Sequence, residues 1–208
     1  MVSRTIVVDS TYHKTDLCVL GKYCNTDKSP FAENGTANHR KGYTAVYDML
    51  FSLFKNRTIN FCEIGIEQGA SLQMWEKYFD IANLYAFELD DSKIEKCKPL
   101  APRTNISKTD ASNIETLEET FKNTNVKFDI IIDDASHDLE HQRNVLKVAP
   151  NYLNSGGILI IEDLVRAQGE EIFDDVVLNN FTFNSFIICH HANQQHDNND
   201  KIWYGVKK

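Results

Sequence analysis

Apolar residues along this chain follow two rhythms. Short apolar runs occur at 58–64, 84–89, 128–133 and 158–162, the last two β-branched, the pattern of strands buried on both faces of a parallel sheet. Between them the apolar positions recur at helical spacing. Tyr43, Val46, Tyr47, Leu50, Phe51 and Phe54 form one stripe, and Leu72, Trp75 and Phe79 a second. Ile114, Leu117 and Phe121 form a third, and Val145, Val148, Ala149 and Tyr152 a fourth. A short helix over 92–98 and a weak strand around Ile106 fill the remaining interval, and Ser155-Gly156-Gly157 reads as a turn into the run 158–162. The end of the chain breaks the alternation. Stretches 182–189 and 202–206 are strand-like, and the polar segment between them carries no helical pattern, which predicts an antiparallel hairpin. The expected fold is α/β: a Rossmann-like, doubly wound sheet of about seven strands with an antiparallel C-terminal hairpin.

The 208 residues suit one domain, divided into an N-terminal loop and helix (1–57), a core (58–165), and a C-terminal helix and hairpin (166–208). Segment 24–40 is rich in Asn, Thr, Ser and Gly and reads as a long loop able to act as a lid. The formal net charge of −8, with Lys and Arg dispersed, argues against nucleic acid or an anionic membrane as partner. Five scattered cysteines without a C-x-x-C pair read as reduced thiols. Residues 1–10 lack the apolar stretch of a signal peptide, so a cytoplasmic location is expected.

Two of the strand runs end in carboxylates. One is Ile130-Ile131-Ile132-Asp133-Asp134-Ala135-Ser136-His137, and the other is Ile158-Leu159-Ile160-Ile161-Glu162-Asp163. Ligands of open α/β sheets sit at the carboxyl ends of strands, so Asp134, Glu162 and Asp163 are expected in one crevice. Like charges in a cleft call for a cation among them, and a divalent metal is the natural candidate. Asp133 is the alternative ligand if its strand ends one residue earlier, because alternate residues face opposite sides. The plainer alternative, less favoured than a metal, is that Asp133 and Asp134 cap the following helix and that Glu162 and Asp163 pair with Arg166 or lysines. His137, three residues after Asp134, has the chemistry of a general base.

The first strand leads into Glu63-x-Gly65-x-x-x-Gly69, a turn where glycines permit close backbone approach and the next helix offers free amides. It is not G-x-G-x-x-G, which weakens a nicotinamide dinucleotide reading. Glu88 ends the second strand, where an acid suits a ribose diol. His190, His191 and His196 form a His-rich patch that reads as a polar loop.

Taken in order, Glu63-Ile64-Gly65, Gly69-Ala70-Ser71-Leu72, Trp75, Ile131 to His137, Gly156-Gly157 and Ile161-Glu162-Asp163-Leu164 resemble the class I methyltransferases that use S-adenosylmethionine. Within that class they are similar to the metal-dependent O-methyltransferases that modify macrolide sugars, a subgroup that includes proteins labelled cephalosporin hydroxylase. Thr26-Asp27-Lys28, His39, Tyr43 and Tyr47 match a segment that precedes the domain in that subgroup, and the likeness spans roughly residues 22 to 165. The resemblance implies that Glu63, Gly65, Gly69 and Ser71 hold the methionine part of the cofactor. It implies Glu88 at the ribose, with Asp110 and Asp133 also contributing to the cofactor site. Thr109-Asp110-Ala111 stands where the subgroup has Gly-Asp-Gln, so the adenine contact departs from the family pattern. It implies Asp134, Glu162 and Asp163 as ligands of magnesium (manganese or iron(II) being the alternatives), with His137 and Asp134 catalytic. The implied acceptor is a hydroxyl of a small-molecule sugar, nucleotide sugar or glycan precursor, and a homo-oligomer is compatible. Three other readings stay open: an N-methyltransferase, an iron-dependent hydroxylase, and a non-catalytic scaffold.

Overall fold

The computed structural model describes residues 4–33, 39–177, 180–195 and 198–208. Its centre is an eight-stranded sheet. The strands are β1 (Thr5–Asp9), β2 (Asn60–Ile64), β3 (Asn83–Glu88), β4 (Thr104–Lys108), β5 (Phe128–Asp133), β6 (Leu153–Leu164), β7 (Phe181–His190) and β8 (Lys201–Lys207). They lie in the order β1-β7-β8-β6-β5-β2-β3-β4. All neighbours are parallel except β8, which is antiparallel to both β6 and β7. The doubly wound core and the C-terminal hairpin expected from the pattern are therefore present. The sheet has one strand more than expected, because β1 pairs in parallel with β7 at the edge.

The helices are α1 (Asp16–Cys24), α2 (Tyr43–Phe51), α3 (Ala70–Tyr78), α4 (Asp91–Cys97), α5 (Ile114–Asn123), α6 (Leu139–Val148) and the short α7 (Asp174–Val177). Local chemistry sets their ends. Thr15, Asp90, Asn113 and Asp138 each accept an amide hydrogen bond as N-caps. Asn25 closes α1 in the left-handed conformation. Pro150, unable to donate, tightens the end of α6 into a turn of 3-10 helix at Ala149–Tyr152. The Gly156-Gly157 pair is an irregularity inside a long β6, where pairing with β5 shifts, and not a turn ahead of it.

Two cores sandwich the sheet. On one face, Phe61, Ile130, Ile132, Ile158 and Ile160 pack under α1, α2 and α3, with Tyr47, Phe51, Trp75 and Phe79 in mutual ring contact. On the other, Cys62, Ile64, Ile131, Leu159 and Ile161 pack under α5 and α6. Strand alternation then has a consequence for the polar ends. Glu63 follows Phe61, Asp134 follows Ile130 and Ile132, and Glu162 follows Ile158 and Ile160. All three carboxylates therefore leave the sheet on the side of α1 to α3. The five cysteines are free thiols, and among the described residues no helix is long and apolar enough to cross a membrane.

Candidate functional site

The winding of the sheet reverses between β2 and β5, and there the strand ends open into a cavity of about 540 Å³. The turn after β2 forms its floor. Gly65 has φ +85°, and a Cβ there would meet the Asp134 carbonyl and stand 2.5 Å from the Ala135 Cα. The turns after β2 and β5 thus touch backbone to backbone. Gly69 (φ +77°) caps α3 without a side chain, and Ala70 and Ser71 at the start of α3 line the cavity. Glu88 lines it from the end of β3. One of its carboxylate oxygens accepts from the Ile66 amide (3.1 Å), the other from the amides of Leu89 (2.9 Å) and Asp90 (3.0 Å). These bonds fix the carboxylate's orientation and leave lone pairs for a ligand. Asp110 lines the far wall, held below the usual carboxylate range by hydrogen bonds from the Ser112 hydroxyl and amide.

At the opposite wall Asp134, His137 and Asp163 each offer one ligand atom, all within 4.8 Å of one another. His137 Nε2 lies 3.1 Å from Asp134 Oδ1, and its Nδ1 lies 3.5 Å from Asp163 Oδ2. Burial opposes the charge of His137, but the hydrogen bond and charge of Asp134, with Asp163, raise its pKa above the ordinary 6.5. Burial likewise works against ionised Asp134, yet Lys28 and His137 hold it down to about 2. His137 (φ +59°), Asp163 (φ +57°) and the nearby Glu67 (φ +43°) are non-glycine residues in the left-handed region, and all three line the cavity. Such strain persists only where surrounding contacts impose it, and it collects at functional sites.

The cation that the acidic strand ends called for is supplied by the chain itself. Lys28, 2% exposed, reaches from the loop after α1 to the three carboxylates that share one sheet face. Its Nζ lies 2.5 Å from Asp134 Oδ2, 2.7 Å from Glu162 Oε2 and 3.5 Å from Glu63 Oε1. Burial disfavours the ammonium, but these carboxylates outweigh it and push its pKa well up. A second buried lysine, Lys41, stands 3.1 Å from Asp163 Oδ1 and donates to the Asn199 side-chain oxygen at 2.7 Å. Two tyrosines of α2 complete the frame. The Tyr47 hydroxyl donates to Glu162 Oε1 and the Tyr43 hydroxyl to Asp163 Oδ1, each at 2.6 Å. Both belong to the apolar stripe expected of this helix, and the structure aims the Tyr43 hydroxyl at Asp163 on the cavity wall and the Tyr47 hydroxyl at Glu162 beneath it.

The structure brings Gly65, Ser71, Glu88, Asp110, Asp134, His137 and Asp163 to one cavity. Glu63, Asp133 and Glu162 lie beneath its surface. Glu63 accepts from the Ser71 hydroxyl at 2.7 Å, and burial pushes its carboxyl up to about 7. Asp133 points to the α5–α6 face, accepts from the Ala135 amide at 3.3 Å, and is raised by burial to about 7. Strand parity therefore favours Asp134 over Asp133 at the cavity. Both oxygens of Glu162 are occupied, by Lys28 and Tyr47. Burial and Asp134 push its carboxyl up, and Lys28 pulls it back. His141, one helical turn beyond His137, lines the cavity and shares a 2.7 Å hydrogen bond with Ser136. His190 and His191 lie at the end of β7, and His196 falls outside the described residues.

A methyltransferase domain profile matches residues 59–206, and the chain belongs to that family. It is 31% identical over 129 residues to the 8-demethyl-8-alpha-L-rhamnosyl tetracenomycin-C 2'-O-methyltransferase of Streptomyces olivaceus, covering 59% of this chain and 33% of that protein. It is 28% identical over 133 residues to the mycinamicin VI 2''-O-methyltransferase of Micromonospora griseorubida, covering 60% and 32%. The chain thus spans about a third of the length of these relatives. Among solved structures, the MycE methyltransferase of the mycinamycin biosynthetic pathway, in complex with Mg, SAH and mycinamycin VI, superposes with a TM-score of 0.67. That match has 21% identity and covers 94% of this chain and 55% of MycE, so it establishes the shared methyltransferase fold.

Proposed function

We propose that this chain transfers a methyl group from S-adenosylmethionine to a hydroxyl of a sugar or glycan precursor, with a divalent metal, magnesium foremost, at the acidic wall. The observation that carries this reading is the placement of the Gly65 turn, Glu88 and the Asp134–His137–Asp163 cluster around one cavity. The curated relatives support it, since those named above methylate sugar hydroxyls. In this reading the cofactor lies over Gly65 with its ribose hydroxyls on Glu88, its methionine end by Ser71 and its adenine toward Asp110. Glu63 and Gly69 support that turn from below, and Asp133 supports the turn after β5.

The acidic wall fits a metal. Asp27, Glu63, Asp134, Glu162 and Asp163 outnumber Lys28, Lys41 and His137, and burial raises Asp27 to about 6 and Glu63 to about 7. Oxygen donors without thiolate suit magnesium or manganese. Asp134, Glu162 and Asp163 are the proposed ligands. When bound, the ion would lower the pKa of a coordinated hydroxyl. His137 acts as the base. With Nε2–H donated to Asp134, Nδ1 is the nitrogen that accepts the hydroxyl proton, and Asp163 Oδ2 stabilises the imidazolium that results. The rest of the catalytic effect is alignment of oxygen, methyl carbon and sulfur in a closed cavity.

Calorimetric titration with S-adenosylmethionine and NAD, followed by methyl-transfer assays on nucleotide sugars and glycosides, tests the reading. The expected result is binding of the first ligand alone and a loss of turnover of about 100-fold or more in His137→Ala. Full methyl transfer by His137→Ala or Asp134→Asn would refute the assigned roles. Tight cofactor binding without transfer to any hydroxyl would favour a scaffold or an amine acceptor.

A further inference from the structure

The ligand set that the sequence points to and the donor set that the structure assembles differ by one residue. The sequence pairs Glu162 with Asp134 and Asp163, whereas the compact cluster in the structure contains His137 and omits Glu162. Both oxygens of Glu162 are already engaged: Oε2 accepts from Lys28 Nζ at 2.7 Å and Oε1 from the Tyr47 hydroxyl at 2.6 Å. Asp134 likewise gives Oδ2 to Lys28. The ammonium therefore sits on the two carboxylates that a divalent ion needs, on the sheet face that alternation dictates.

Lys28 is also placed to leave. Its backbone is tied down independently of its side chain, since its carbonyl accepts from the Thr44 amide at 3.1 Å and the adjacent Asp27 carbonyl accepts from the Lys41 amide at 2.7 Å. Its long, unbranched side chain lines the cavity, so a rotamer change carries Nζ toward the cavity without opening the loop. Nothing equivalent holds for Lys41, which donates to both the backbone and side-chain oxygens of Asn199.

We propose that Lys28 is an exchangeable counter-ion: its ammonium holds Asp134 and Glu162 in the metal-free protein and swings into the cavity when a divalent cation takes its place. This rests on the metal-dependent reading above. The exchange brings in two positive charges and moves one aside, leaving Asp134, Glu162 and Asp163 with the ion and His137 free to accept a proton. Lys28 is then a positioning residue that sets metal affinity. It also offsets the mutual repulsion of the carboxylates before the metal arrives.

The test is manganese binding, read from the loss of the free-ion electron paramagnetic signal, in the wild-type chain and in Lys28→Gln. Removing the competing charge is expected to tighten manganese binding about tenfold or more, whereas a merely structural role predicts weaker binding. In the wild-type chain, mass-spectrometric mapping of amine acylation is expected to show faster modification of Lys28 with saturating magnesium than with chelator. Unchanged or weaker manganese binding by a folded Lys28→Gln overturns the exchange and leaves the metal reading standing. Lys28 acylation that is indifferent to magnesium overturns it too, and decides the matter if the variant does not fold. No manganese binding by either protein removes the metal reading and the exchange with it.

Discussion

Replacing Lys28 by Met removes the ammonium while keeping most of the aliphatic volume, so the change is electrostatic. The structure sets its size. Nζ is within 3.5 Å of three carboxylates, and Glu63 and Glu162 are essentially inaccessible to water. Breaking a buried ion pair by deleting one partner costs about 3–5 kcal/mol. A second route gives the same figure. The stranded cluster can relax by protonating Asp134, the member held ionised in the wild type and whose ordinary pKa is 3.8, which at about pH 7.5 costs about 5 kcal/mol. That route makes the penalty pH-dependent. As pH falls the stranded carboxyl takes its proton more readily, and at about pH 5.5 the cost drops to about 2 kcal/mol.

Urea denaturation in chelator at the two pH values measures both quantities, provided the m-value is unchanged. The double variant Lys28→Met/Glu162→Gln supplies the internal control. Neutralising Glu162 as well is expected to recover about 2 kcal/mol or more of the loss at the higher pH, because the charge left without a partner is gone. A loss below about 1 kcal/mol at about pH 7.5, or one that does not shrink on acidification, would refute the claim that Lys28 neutralises this cluster.

Two further outcomes follow from the same wall. Gly65→Ala places a Cβ against Asp134 and Ala135 in a left-handed backbone, so it is expected to cost about 3 kcal/mol or more; an unchanged urea midpoint would mean the two turns do not touch. Glu63, raised by burial to about 7 from 4.5, stabilises the fold fully below about pH 4.5 and loses that contribution as pH rises through 7. Glu63→Gln is therefore expected to match the wild type at about pH 4.5 and to gain on it by up to about 3 kcal/mol by about pH 8. Denaturation curves that stay parallel across that range would show the carboxyl to be unperturbed.

Much of this was legible in the sequence, for reasons that differ by element. Strands β2, β3, β5 and β6 announced themselves because strands covered on both faces must be apolar throughout, and α2, α3, α5 and α6 because one stripe of each faces the sheet. β1 was not found. Among the described residues its one strand partner is β7, some 180 residues away, and exposed Ile6 and Val7 mask any alternation. α1 was missed as well, although Thr15-Asp16 at its start and Asn25 at its end carry the cap chemistry that could have marked it. The glycine turn, Glu88, Asp134 and His137 were found because each sits where a strand stops and the chemistry of the residue type is distinctive.

Lys28 shows where such reading stops, and why. The demand for a positive charge was readable from Asp134, Glu162 and Asp163, and parity with Phe61, Ile132 and Ile160 adds Glu63 to the same face. The supplier was not readable, because a lone lysine in a loop rich in Asn, Thr and Ser looks solvated by composition. Only the packing of α1 and α2 over the sheet carries that loop onto the strand ends, and in that packing Leu17, Tyr43, Val46 and Tyr47 share one buried cluster with residues from six strands. A local motif thus specifies a charge deficit, and the tertiary fold decides how it is met. The same lysine that satisfies the deficit in the protein alone also conceals Glu162. The proposed metal ligands are therefore plainer in the order of residues along the chain than in the contacts of the folded protein.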